Sequence, residues 1–141
     1  FVPLLVLLRW FANRHSSKVK SKAKIESEKQ QINDLQPRIT QLVCEKVYLA
    51  PNLSLKEMSE MLETNSTVLS NVINQGYKLN FNDFLNKFRI EAVIESLKQG
   101  EHEKTTLQGI AEDCGFNSKA TFNRAFKKYT NHTPREFLKT L

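Results

Sequence analysis

Residues 106–138 read TLQGIAEDCGFNSKATFNRAFKKYTNHTPREFL, and residues 54–85 read SLKEMSEMLETNSTVLSNVINQGYKLNFNDFL. Set one above the other, these stretches are two copies of one pattern. Ser54-Leu55-x-x-Met58-Ser59 matches Thr106-Leu107-x-x-Ile110-Ala111 at an offset of 52. Past a short turn, Leu69-x-x-Val72-Ile73 matches Phe122-x-x-Ala125-Phe126, and Phe84-Leu85 matches Phe137-Leu138, both at an offset of 53. Apolar residues at i, i+3 and i+4 mark amphipathic helices. A helix, a tight turn and a second helix, repeated with one extra residue in the second turn, predict two helix-turn-helix units in tandem.

Each unit has the local chemistry such a motif needs. Ser54 with Glu57 three residues on is a capping box. Ser59 and Ala111 are small where a second helix must cross closely, and Gly115 supplies a backbone conformation that side chains disfavour. Between the units, Phe81, Phe84, Leu85, Phe88, Ala92, Val93 and Leu97 predict a long helix over about 81–98, ending before Gly100. Upstream, Ile39, Leu42, Val43 and Val47 form one more apolar helical face before the Tyr48-Leu49-Ala50-Pro51 break. The expectation is an all-α fold of about seven helices, with helix-turn-helix units at about 54–76 and 106–130.

Composition agrees with this class. The chain has 141 residues, 40% of them hydrophobic, with nine Phe and only four Gly and four Pro. That is globular and helix-rich, and too short for a large enzyme core beside a second segment. The net charge of +6 suits an anionic partner. Residues 1–35 hold seven Lys/Arg against three Asp/Glu, residues 36–103 seven against nine, and residues 104–141 seven against three. The surplus therefore lies at the two ends. The exposed face of each second helix offers polar groups to a major groove. In the second unit these are Lys119, Ala120, Asn123 and Arg124, followed by Lys127 and Lys128. Arg can read guanine in bidentate fashion, Asn can read adenine, and Lys can neutralise phosphate.

At these residues the chain resembles the AraC/XylS family of bacterial transcription regulators. The resemblance rests on Gly115-Phe116-x-Ser118-x-x-x-Phe122-x-Arg124-x-Phe126-Lys127-Lys128, continuing to Thr133-Pro134-x-x-Phe137, and on residues 81–92, FNDFLNKFRIEA, similar to the family's linker helix. It covers about residues 37–141. It implies two recognition helices in successive major-groove turns of double-stranded DNA. The base readers it implies are Thr67, Ser70 and Asn71 in the first unit and Lys119, Ala120, Asn123 and Arg124 in the second. RNA polymerase is the implied protein partner, with activation or repression left open. Where the family often has Gly after each recognition helix, this chain has Lys78 and Asn131. Asn tolerates positive φ better than Lys, so Asn131 is expected there, while Gly76 could relocate the first unit's bend by two residues.

The N-terminal third reads differently. Residues 1–12, FVPLLVLLRWFA, are apolar but short of the roughly 20 needed to span a bilayer. They are followed by Arg14, Lys18, Lys20, Lys22 and Lys24, with Trp10 at the junction. This order suits the end of a transmembrane helix emerging at the cytoplasmic face, in a chain cut from a longer membrane-anchored protein with an upstream sensory region. The other reading is a packing segment of an upstream domain. Residues 1–17 are thus assigned to that end and its basic flank, and 18–36 to a charged linker. Ile25, Ile32 and Leu35 make the linker a candidate short coiled coil, and a homodimer contact is expected either here or through the upstream region. Pro37 is expected to break the helix and open the domain at 37–141.

Other functional readings are weaker. Phe84, Phe88, Phe122 and Phe126 have core spacing rather than base-stacking spacing. His15, His102 and His132 lack partners at ligand spacing, so neither metal nor cofactor is expected. Cys44 and Cys114 read as buried free thiols. No nucleophile–base pair or phosphate-cradling Gly loop is present, so no enzyme is expected. The rival to DNA binding is a helical protein-interaction module of a membrane signalling protein.

Overall fold

The computed structural model describes the backbone of residues 2–141 and the side chains of residues 22–141. Among these residues there are seven α-helices and no strand: α1 (Val2–Cys44), α2 (Leu55–Met61), α3 (Ser66–Tyr77), α4 (Phe81–Lys98), α5 (Leu107–Asp113), α6 (Lys119–Thr130) and α7 (Pro134–Leu138). Short 3₁₀ turns at Val47–Leu49 and Glu101–Glu103 connect α1 to α2 and α4 to α5. The chain divides into two compact units, Phe1–Asp34 and Leu35–Leu141. The first is helical throughout its described length. The side chains of Trp10, Arg14, His15, Lys18 and Lys20, on which part of the N-terminal reading rests, lie outside the described residues.

The expected break at Pro37 does not occur, and α1 runs through it. Proline in a helix removes one N–H bond and crowds the carbonyl four residues back. Here that carbonyl belongs to Asn33, an exposed position where water can satisfy it. Leu35 and Ile39 on either side are buried, at 7% and 0% exposure, and anchor the helix across the proline. The Thr40 hydroxyl adds a bond to the Gln36 carbonyl at 2.9 Å. Tertiary burial thus outweighs a local breaking signal. α1 ends where Lys46 turns left-handed at φ 57°. Cys44, the last residue of α1, is exposed rather than buried, because Ile39 takes the inward face and Cys44 lies on the outward one. Cys114 is buried, and burial raises its thiol pKa.

α4 is the shared beam of the Leu35–Leu141 unit, packing against α3, α5 and α6. Its first half supplies buried Phe81, Phe84 and Leu85. Phe84 meets Tyr77 of α3 and Phe88 edge-on, with ring centres 4.9 and 5.0 Å away. Its second half contributes Ile90, Val93 and Leu97 to a core with Ile110, Ala111, Cys114, Phe116, Phe122, Ala125 and Phe126. Phe84, Phe122 and Phe126 are therefore core, Phe88 is only half-buried, and Phe126 is fully buried between Phe122 and Phe137.

Candidate nucleic-acid interface

The repeat in the sequence is a repeat of hydrogen bonds. In the first unit Glu63 N–H donates to Glu60 O at 3.0 Å and Thr64 N–H to Ser59 O at 2.9 Å. In the second, Gly115 N–H donates to Glu112 O and Phe116 N–H to Ala111 O, both at 2.9 Å. These four donors and four acceptors stand at the offset of 52. Both turns pass through positive φ, 52° at Glu63 and 90° at Gly115. At the crossing, Ser59 is buried with its hydroxyl donating to Lys56 O and its Oγ 3.2 Å from Ser66 Oγ; Ala111 fills the same place without a polar group.

From the caps of the second helices onward the offset is 53. Asn65 caps α3 and Ser118 caps α6; Lys78 and Asn131 end them at φ 58° and 61°. Asn131 has the expected conformation. Lys78 adopts it too, although a long side chain disfavours it, and Gly76 stays helical, so the bend is not relocated. The extra residue between the two offsets is Asn117. Its side-chain amide donates to Pro51 O at 2.8 Å and to Asn52 Oδ1 at 2.9 Å, reaching back to the loop before the first unit. Arg89 of α4 holds the same loop, donating to Tyr48 O at 2.7 Å and Ala50 O at 2.8 Å. It is 8% exposed, and burial lowers its pKa.

Thr67 and Asn71 are exposed on α3, with Ser70 half-buried beside them. Their counterparts at the offset of 53 are Ala120, Arg124 and Asn123, all exposed on α6, as is Lys119. Ser70 and Arg124 line one cleft between the two helix-turn-helix motifs, together with Asn86, Asn117 and Thr121. Lys119, Asn123, Arg124 and Lys127 line a second hollow with Thr106, Thr133 and Arg135. Arg124 belongs to both. Thr67 and Asn71 line neither. Arg135 was not singled out from the sequence. Its signal was present in Thr133-Pro134: a capping Thr with Pro in the first turn starts α7 and sets Arg135 beside α6. Lys128 bonds to Asp83 Oδ1 at 2.7 Å, so its ammonium is already paired within the protein. Asp83 also raises the Lys128 pKa through that hydrogen bond.

A family model described as a helix-turn-helix domain matches residues 58–140. The chain belongs to this AraC-type helix-turn-helix family. The domain is a DNA-binding one. An HTH-type transcriptional regulator of Staphylococcus aureus strain COL is 33% identical over 97 residues, 67% of this chain and 13% of the relative. The transcriptional regulatory protein YesN of Bacillus subtilis is 34% identical over 89 residues, 62% of this chain and 24% of the relative. The C-terminal domain of AraT, a response regulator from Geobacillus stearothermophilus, superposes with a TM-score of 0.65 at 28% identity, over 74% of this chain and 84% of that one. The AraC-type chain thus spans about an eighth of the length of its S. aureus relative. Among the described residues no helix is long and apolar enough to cross a membrane.

Proposed function

We propose that the AraC-type domain binds double-stranded DNA sequence-specifically by setting α3 and α6 into successive major-groove turns. The observation that carries this reading is the matched pair of capped helices, α3 and α6, each burying an apolar face and exposing a polar one at equivalent positions. Thr67, Ser70 and Asn71 read bases in one groove segment; Lys119, Ala120, Asn123 and Arg124 read them in the next. The two faces differ in charge. Where α3 has Asn74, α6 has Lys127, and α3 has no Lys or Arg from Ser66 to Gln75. The second unit therefore supplies the phosphate neutralisation, with Lys127 and Arg135 as its main carriers, while the first discriminates bases through neutral hydrogen bonds.

Fluorescence anisotropy with duplexes enriched from a randomised pool tests this. Specific binding should fall steeply with salt, and Lys127→Ala should lower the slope of log K against log [salt] by about 1 at every sequence. Arg124→Ala should cost about 1–3 kcal/mol and relax preference at one base pair. Asn71→Ala should lose discrimination with no change in slope. No duplex binding at low salt would leave a protein-interaction module as the better reading.

For the whole protein, we propose transcription regulation through contact with RNA polymerase. The apolar residues 1–12 followed by basic residues support anchoring at the cytoplasmic face of a membrane through the segment before Arg14. The spacing of Ile25 and Ile32 supports a homodimer contact along residues 18–36.

A further inference from the structure

Lys127 and Lys128 are neighbours on α6, yet their ammonium groups have different surroundings. Lys127 is exposed and shares a hollow with Arg124 and Arg135. Lys128 reaches across to Asp83 in the first turn of α4, 2.7 Å away. Asp83 has further partners. Its Oδ2 accepts from the Asn80 side-chain amide at 2.9 Å, and its carbonyl oxygen accepts from the Tyr129 hydroxyl at 2.8 Å. The next residue, Phe84, packs edge-on against Tyr77 in the last turn of α3. The end of one recognition helix is therefore fastened to the corner where the other passes into α4.

We infer that the latch of Asp83, Lys128 and Tyr129 sets the phase between α3 and α6, making Lys128 a positioning residue that selects the spacing of the two DNA contact segments. This rests on the groove-binding reading above. An ammonium already paired with a carboxylate displaces no counterion from DNA, so Lys128 adds little to the salt dependence. Inserting one base pair between the two segments shifts the second by about 3.4 Å along the axis and turns it by roughly 35°, at 10–10.5 base pairs per turn. Recognition helices locked in phase cannot follow that change. Unlatched ones can adapt in part.

The test uses the 141-residue chain and three duplexes: one enriched by the wild type from a randomised pool, the same duplex with one base pair inserted between the two protected segments, and a scrambled control. Anisotropy titrations at several salt concentrations read slope and spacing preference together. Lys127→Ala should lower the slope by about 1 and keep the spacing preference. Lys128→Ala should keep the slope and reduce the preference for the native spacing about two- to fivefold, the range for a partly exposed ion pair. Asp83→Asn should reduce it similarly, and the double variant no further than either single one. Tyr129→Phe removes only the hydroxyl and carries the test should a charge variant fail to fold. A slope lowered by Lys128→Ala as much as by Lys127→Ala overturns the inference, as does wild-type spacing preference in folded Lys128→Ala and Tyr129→Phe. Those results leave groove binding intact, whereas absence of any wild-type binding overturns both.

Discussion

Gly115 and Glu63 occupy the same place in the two turns, and substitutions there should act with very different force. A Cβ on Gly115 would stand 2.8 Å from Leu49 O, 3.1 Å from Leu49 C and 2.8 Å from Arg89 Nε. Two of these are backbone atoms, and the third is pinned by its own bond to Tyr48 O. Gly115→Ala therefore incurs about 1–3 kcal/mol for a side chain at φ 90°. Relief of the contact requires moving Arg89, and a lost hydrogen bond from a charged group costs about 1.5–3 kcal/mol. The sum is about 4 kcal/mol, a large part of the ~5–15 kcal/mol typical of a domain, and should lower Tm by about 15–30 °C. Glu63→Gly reverses the backbone term. It removes about 1–2 kcal/mol of left-handed strain, offset by about 0.5–1 kcal/mol of glycine entropy and by loss of the exposed 3.6 Å ion pair with Arg38, about 0–1 kcal/mol. The net change should stay within about 1 kcal/mol of zero. Circular dichroism at 222 nm through urea and thermal unfolding measures both. A loss below about 1 kcal/mol for Gly115→Ala, or an equal loss for Glu63→Gly, would refute the placement of the second turn against Arg89 and Leu49.

Phe122→Ala, at 2% exposure in the second core, should remove roughly 3–5 kcal/mol in the same unfolding assay; an unchanged Tm would mean the wrong face of α6 is inward. Asn117→Ala should cost about 1–2 kcal/mol for its two bonds to the Pro51–Asn52 loop, and amide hydrogen exchange should quicken in that loop without change in α5. Glu57 and Glu136 are both held below the usual carboxylate range by hydrogen bonds within their capping boxes, from the Ser54 side chain first and the Thr133 backbone first respectively. A lowered folded-state pKa contributes stability above the unfolded value, about 4.3, that is lost as pH falls through the folded one. The melting temperature should drop between pH 5 and pH 2, and the Glu57→Gln, Glu136→Gln double variant should show a shallower drop.

Local rules reach a long way into this chain because most of its structure is local. Helix period, capping residues and the small residue at each crossing act within three or four positions, so the two units, the 81–98 helix and the inward faces of Phe84, Phe122 and Phe126 are legible in the sequence. The left-handed Asn131 is legible for the same reason. The repeat also exposes one extra residue in the second turn. What tertiary structure alone decided is where local preference is overruled or a polar side chain chooses a distant partner. Burial of Leu35 and Ile39 carries α1 through Pro37, and α3 ends at a left-handed Lys78 while Gly76 remains helical. Arg89 finds Tyr48 across 41 positions, Lys128 finds Asp83 across 45, and Asn117 finds Asn52 across 65. A lysine on an exposed helix face carries the same local signature whether it meets a phosphate or a carboxylate. Only the folded chain, by bringing α4 beside α6, separates Lys127 from Lys128.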